Sequence, residues 1–598
     1  MRTLGWLFAL MAFGFLPPSL PAQVPDSLPR DSVPQDTVDL TARFLEAQEL
    51  EAERAAVFPL IGTEGVRTPG NRIVFTRDSL EWADAQTLGD ILAQVPGVFL
   101  WRGGWIGRPE LPNYRARGGT SVEYFLDGLP LTAIGQDSVT VDPVLMALSL
   151  LERIEVERWP GMLRVRLFTR RHDRIAARSR IGVGTGDDDV ARYDGALQRR
   201  FRSGMGFSLG ADFLSAPTAS GFASDHEHTQ YWIQVGYLKS RAFGAQAQLL
   251  RTEPKRDAFL GSGSTDSIGA PLEGNRNDYQ VRLFTERGPE DRPLRVDLLY
   301  GRTSWSGSGV EQTINRYGVA VGYRAPTLSL RGSVFGASRW TALDLGTEAG
   351  WSPLDGLVFH VEGHHGRHDE DRSSTWVGLG AGLELPFGLV LSGTARLGSV
   401  VHAPAIDADS AQDLRDVRVA AGWQDRRLGV EVAVSRTAAF QPRSFQPFLT
   451  VPSLGSSPDT DWLTLALRVS PASWLTLSGW YSDVLNGSSL DGQPPEHMVG
   501  RATIRSGFLR KFPSGIFDLK LELSVERWGA GVLGRDVTGA PIAHPGATFL
   551  RGLAQLEFGR LRIFYDRYNL QGINGAYVPG FTMPTFNTTF GVRWDFLN

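Results

Sequence analysis

Cysteine is absent from the 598 residues. That excludes disulfides, thiolate metal ligands, cysteine nucleophiles and lipid attachment at a cysteine, and it leaves the redox compartment open. Long apolar runs are also scarce: beyond the N-terminus no segment approaches the roughly 20 apolar residues a membrane helix needs, so a helical membrane protein is excluded. Nor is there an excess of one charge. The 61 Lys and Arg nearly balance 65 Asp and Glu, and no basic block gives nucleic acid or an anionic surface a footprint. Catalytic signatures are missing too, with no GxSxG elbow and no HExxH, and scattered Ser, His and Asp do not make a site. An enzyme reading would need a Ser or Thr oxygen within hydrogen-bond reach of a histidine. His364, His365 and His368 crowd near Asp369, Glu370 and Asp371, but strand alternation sends His364 and His365 to opposite faces and the acids fall in a loop, so the cluster reads as a solvated hairpin. The run from Gly261 to Thr265 lacks a phosphate-loop lysine and reads as a loop.

What the chain has is glycine, 68 of them, and aromatics at one residue in ten. Its first 22 residues read as an export signal peptide: Met1-Arg2, an apolar run over 4–16, and Ala22 at the cut. Residues 23–71 form a leader, rich in Pro, Ser and Asp to residue 35 and then Glu- and Ala-rich over 44–57, a helix-forming composition.

A small mixed domain follows over 72–171. Thr87 caps a helix in which Leu88, Ile91, Leu92 and Val95 share one apolar face, stopped at Pro96-Gly97. Val122 to Leu126 is a strand and Asp127-Gly128 its tight turn. Asp142-Pro143 starts a second helix. Ile154 and Val156 alternate with Arg153, Glu155 and Glu157, the pattern of a half-buried strand.

In this order Leu92 to Gly97, Arg117-Gly118, Asp127-Gly128 and Glu152-Arg153-Ile154-Glu155-Val156 resemble the plug domain of TonB-dependent outer-membrane receptors. The resemblance implies that Leu92, Val95, Pro96, Gly97, Arg117, Gly118, Asp127, Gly128, Glu152, Arg153, Ile154, Glu155 and Val156 are plug motif positions. Under the same resemblance Asp36, Thr37, Val38, Asp39, Leu40, Thr41 and Ala42 look like a TonB box, an extended strand offered to the edge of a partner's sheet. After Glu152 to Val156 the family usually continues through a longer turn, whereas here Trp159-Pro160-Gly161 passes almost at once into the next strand.

From residue 172 to 598 the pattern has period two. Phe517, Leu519, Leu521, Leu523 and Val525 alternate with Asp518, Lys520, Glu522 and Ser524, and about 22 such segments recur, each long enough to cross a bilayer as a tilted strand. Connections read as alternately long and short, Ser304 to Thr313 among the long ones and the gap at 507–514 the one exception, as when every second turn faces outward. The last strand, 586–596, carries Phe590, Trp594 and Phe596, aromatics of a membrane interface. Inward charges, with Asp187, Asp188 and Asp189, read as a wet lumen packed against a polar plug, in which Lys520→Ser is tolerated.

The expected fold is therefore mainly β: an antiparallel transmembrane β-barrel of about 22 strands occluded by an N-terminal α+β plug. The resemblance implies energised uptake of a scarce solute through the outer membrane, with a TonB or TonB-like protein on the periplasmic side. Outer-membrane lipid and an unidentified small solute are the other expected partners. The barrel is expected to be monomeric, with no nucleic acid, no cofactor, no metal and no catalytic residues. The shortened turn keeps an alternative open, a plugged barrel that binds at the surface or serves assembly without pumped transport.

Overall fold

The computed structural model describes residues 53–597 except 63–64, 84, 105, 136–138, 218–224, 262–265, 487–489, 508–516 and 586. The signal peptide, the candidate TonB box at 36–42 and most of the Gly261–Thr265 run lie outside the described residues. Of the Glu- and Ala-rich stretch, residues 53–57 are described; they are extended and not helical, with Arg54 bridged to Arg174.

From Arg178–Gly186 to Thr588–Leu597 each barrel strand pairs antiparallel with its chain neighbour, and the last pairs back onto the first, Val592 opposite Val183. Among the described residues the cylinder has 22 strands, the piece Leu272–Glu273 extending the ladder of Asn275–Arg287. Closure is what hydrocarbon demands, because an unpaired amide or carbonyl there costs several kcal/mol and an open sheet has two rows of them.

The alternation sets the facing. Leu521 and Leu523 are 41% and 50% exposed on the outer surface, whereas Lys520, Glu522 and Ser524 beside them are buried inside. The tolerance expected of Lys520→Ser is corrected here: Lys520 donates to the Trp82 carbonyl of the inner domain at 2.6 Å and pairs with Glu522 at 3.0 Å. Inward charges elsewhere are likewise buried and paired, as in Arg282–Asp297 at 2.7 Å, while Asp187, Asp188 and Asp189 form a turn at the rim. Two substitutions test the facing. Leu521→Arg places a cation on the lipid face at a cost of about 2 to 4 kcal/mol. Lys520→Ser loses a buried charged hydrogen bond and an ion pair, about 1 to 3 kcal/mol, and is not neutral. Urea unfolding in lipid, read by heat-modifiable migration, should rank both below the parent, with Leu521→Arg lower.

Long connections at 217–225, 257–274, 401–411, 438–459, 485–495, 529–546 and 568–587 share one rim. The strict alternation fails, because 187–190, 308–309, 338–340 and 369–372 at that rim are tight turns. Leu294–Gly307 and Val310–Arg324 pair up to a two-residue turn, Ser308 (φ 46) and Gly309 (φ 76), across what the sequence offers as a long gap. Polar Ser-Gly sequence looks like a loop, but beyond the bilayer a ladder needs no apolar face.

Inside the cylinder lies a five-stranded sheet with strand order β1-β6-β7-β4-β5. Its strands are β1 (Arg72–Phe75), β4 (Val122–Leu126), β5 (Leu129–Pro130), β6 (Leu151–Trp159) and β7 (Met162–Thr169). Helices α1 (Arg77–Glu81) and α2 (Leu88–Leu92) and the hairpin β2 (Val98–Arg102) and β3 (Glu110–Tyr114) complete the domain. At the N-terminus of α2, Thr87 and Asp90 form a capping box, and Leu88, Ile91, Leu92 and Val95 are fully buried. Asp127 (φ 46) and Gly128 (φ 93) make the expected turn. Asp142 caps a single 3-10 turn, Pro143–Leu145, and not a longer helix.

The half-buried reading of β6 is overturned. Glu155 and Glu157 are as buried as Ile154 and Val156, because the face that would meet water in a free domain meets arginines and the barrel wall.

Candidate plug–barrel interface and outward cavity

The motif residues are spread through the inner domain and do not converge on one site. Leu92, Val95, Ile154 and Val156 are core, and Pro96, Gly97, Gly118 and Gly128 shape turns, three of them with positive φ. Asp127 accepts from the Thr169 amide (3.1 Å), the Thr169 hydroxyl (2.8 Å) and the Gln248 amide (2.9 Å), which ties its turn to the wall. A Cβ at Gly128 would stand 2.8 Å from Ile61. Glu152 pairs with Arg171, and Arg153 with Glu155 at 2.5 Å.

Arg117 is the motif residue that forms an ion pair with the barrel. Its guanidinium donates to both oxygens of Asp416 at 2.8 and 2.6 Å, and the two side chains are 1% and 0% exposed. Asp416 also accepts from the Ala438 amide at 3.0 Å. The turn between β6 and β7 rests on this pair. A Cβ at Gly161 (φ 71) would lie 2.6 Å from the Arg117 guanidinium and 2.9 Å from Asp416.

Further ion pairs, invisible to sequence reasoning, hold the same hairpin. Arg158 meets Glu431 at 3.0 Å, with Arg418 on the other side at 2.7 Å, and Arg164 meets Glu362 at 2.7 Å. Glu157 lies among Arg67, Arg164 and Arg166. At the opposite end of the domain Arg180 reaches Glu81 at 3.2 Å. No periodicity marks the pairs that join domain to wall, since Arg158–Glu431, Arg164–Glu362 and Arg180–Glu81 each link residues far apart in the chain.

Burial raises the Glu157 carboxyl, but Arg166, Arg67 and Arg164 outweigh it and hold the group at about 2. Glu81 is likewise held at about 2: burial opposes, and Arg180, Arg170, Arg77 and Arg562 win. A carboxylate held below its unfolded value adds stability that is fully present above about 4.5 and lost as pH falls toward 2. The inner domain should therefore lose protection from an acid protease across that interval, while Glu157→Gln flattens the profile and lowers the protection at its upper end. An unchanged profile in that variant would remove Glu157 from the clamp.

The long connections fold inward and share an aromatic core with the β2–β3 hairpin. Phe99, Trp101 and Leu111 of the hairpin are buried against Phe445, Phe448, Trp528, Phe549, Tyr577 and Phe581. Trp101 Nε1 donates to the Gly492 carbonyl at 2.8 Å, and its ring centre is 4.0 Å from that of Phe445. This half of the mouth is covered.

The other half, under the tight turns, holds a cavity of about 350 Å³. It runs between the inner domain at Thr120, Glu123, Phe125, Met162 and Arg164 and the wall at Phe335, Trp376 and Arg396, up to 400–405. On the short-turn side a second cavity, about 730 Å³, lies between β1 and the wall and is lined by Arg158 and Glu431. The β6–β7 hairpin borders both cavities, Arg158 lining the inner one and Met162 the outer, and Trp159 packs over Gly378 with its ring centre 5.8 Å from that of His360.

Among the described residues there is no group of three or more His, Asp or Glu that could hold a metal ion. His364 meets Asp344 at 3.1 Å and stacks on Trp376, while His365 lies on the outer face against Thr375. The distance criterion for an enzyme does not discriminate here, because Ser374 Oγ lies 2.8 Å from His368 Nε2. The other ring nitrogen of His368 meets the Thr341 hydroxyl at 3.0 Å and not a carboxylate, so nothing in the pair would stabilise an imidazolium.

Residues 65–163 match the family model described as TonB-dependent Receptor Plug Domain. That domain belongs to receptors and not to enzymes. No curated protein matches the chain by sequence. Among solved structures, the FrpB iron transporter of Neisseria meningitidis is similar at TM-score 0.67 and 11% identity, over 88% of this chain and 99% of that one. The ferric enterobactin receptor PfeA of Pseudomonas aeruginosa gives 0.65 and 11%, over 89% and 100%. The siderophore receptor PirA of Acinetobacter baumannii gives 0.65 and 9%, over 88% and 98%. At these identities the likeness is one of fold: a plug domain of TonB-dependent receptors within a 22-stranded barrel.

Proposed function

We propose that this chain, in which a plug of the TonB-dependent receptor type fills a closed barrel, is an outer-membrane receptor that takes up a scarce solute with energy delivered by a TonB-like partner. The observation that carries the reading is the plug itself, ion-paired to the wall by Arg117–Asp416 and entered from the short-turn rim, where Arg202 holds Glu53 and Phe58 packs on Phe284. A plug fixed in this way blocks diffusion, so passage needs work done on it. Residues 36–42 are the proposed handle, presenting a strand to the partner's sheet edge. The solute is read as entering by the outward cavity, since the aromatic core covers the rest of the mouth.

The test is capture of the full chain by an immobilised C-terminal domain of TonB. Retention is expected for the parent and loss on deletion of 36–42; equal retention of both would remove the handle.

A further inference from the structure

The outward cavity is lined by six arginines against four carboxylates. Most of these charges are committed. Arg164 is held by Glu362 and Glu123, Arg166 by Glu157, and Arg316 by the Thr132 and Thr303 hydroxyls. Among the described residues Arg331, Arg339 and Arg396 have no ion pair, and of the three Arg396 is the buried one. Its side chain is 1% exposed, yet Nε and both terminal nitrogens lack a hydrogen-bond partner, and it has no ion pair. Its two electrostatic neighbours of opposite charge, Glu123 and Asp416, are engaged with Arg164 and Arg117.

Burying an unpaired guanidinium is costly, and native interiors pair such groups. One face of Arg396 is occupied, because its carbon lies 4.4 Å from the centre of the Trp376 ring. The coplanar nitrogens are left at the edge, where a guanidinium takes an oxyanion with two parallel hydrogen bonds. Elsewhere the same cavity is lined by the rings of Phe125, Phe335 and Trp340. Its volume of about 350 Å³ lies in the range of small-molecule sites and is too small for a folded polymer.

We infer that the outward cavity binds a small anion, an oxyanion such as a carboxylate or phosphate on a flat apolar body, with Arg396 gripping the oxyanion and Trp376 fixing the guanidinium. This names a solute class for the uptake reading and rests on it only for the claim that the bound anion is cargo. Binding itself needs no energised partner.

The experiment uses the full chain in detergent micelles and saturation-transfer NMR with four probes of one shape: 1-naphthoate, 1-naphthyl phosphate, the neutral 1-naphthamide and the cationic 1-naphthylmethylamine. The expected result is saturable binding of one or both anions, with the amide and the amine at least tenfold weaker. The tighter anion tells carboxylate from phosphate. Arg396→Gln is expected to lose the preference for the anion by tenfold or more. Arg396→Lys, which keeps the charge without the paired donors, is expected to lie between; it stands in if the Gln variant does not give the heat-modifiable band of a folded barrel. Amide and anion binding alike in the parent, or anion binding undiminished in both variants, overturns the assignment. Should that happen while deletion of 36–42 still abolishes capture by TonB, the anion site falls and the uptake reading stands. If anions bind through Arg396 but the deletion leaves capture unchanged, the reverse holds.

Discussion

Removing residues 36–42 is expected to reduce energised uptake to the rate seen with an uncoupler, while the barrel stays folded and the cavity keeps its solute. The separation of effects follows from where the chain first becomes attached. Beyond residue 53 it runs along the wall as a strap held by its own carbonyls: Phe58 receives a hydrogen bond from Arg171 at 2.8 Å, Pro59 from Arg282 at 2.7 Å and Leu60 from Arg295 at 3.1 Å. Ile61 then lies against Gly128 at the turn after β4. A pull on the leader reaches this strap before the sheet, and main-chain bonds to three arginines can be released one after another. Deletion of 36–42 leaves every contact among the described residues in place, so heat-modifiable migration and surface binding should not change. Uptake that persists at the parent's rate would favour the alternative, a plugged barrel that binds or assembles without being pumped.

Asp416→Ala is expected to cost about 3 to 5 kcal/mol of plug retention, because it leaves Arg117 charged and unpaired in a site from which water is excluded. The two side chains, 299 residues apart in sequence, exchange two short hydrogen bonds. Gly161 presses on the pair from the β6–β7 turn, so collapse of the pair also loosens the hairpin that borders both cavities. Arg117→Ala should cost a similar amount, since the orphaned carboxylate keeps the Ala438 amide at 3.0 Å as the orphaned guanidinium keeps the Ala438 carbonyl at 3.5 Å. Replacing both by leucine should recover much of the loss, as buried pairs exchanged for apolar side chains often do. A double-mutant cycle on the urea midpoint for protease exposure of the plug measures the coupling. Additive single effects would show that the pair does not act as a unit.

How far the sequence carried the reading depends on the range of the physics. The cap at Thr87, the turn at Asp127-Gly128 and the alternation from Phe517 to Val525 are local, each decided by residues within one turn or one strand, and the structure has all three. Glu155 and Glu157 looked solvated because alternation reports which residues differ and not what lies across from the polar face. Lys520 failed in the same way: its partner is a carbonyl 438 residues away in the chain. Ser304 to Thr313 failed because composition stood in for pairing. The motif at Arg117-Gly118 was legible as a motif, but its partner Asp416 is one inward aspartate among many until the wall is closed. Nothing in the run around Arg396 sets it apart from the other arginines of strands facing inward.

By itself, then, the sequence determined the class of object: period-two strands with an apolar outer face, which hydrocarbon forces into a closed sheet, behind a small domain whose caps and turns are written in adjacent residues. Only the tertiary structure decided which charges are paired, which half of the mouth the long connections cover, and which buried guanidinium is left without a partner. Those outcomes depend on groups brought together from hundreds of residues apart, and the energy of a buried charge is set by what surrounds it in space and not by its neighbours along the chain.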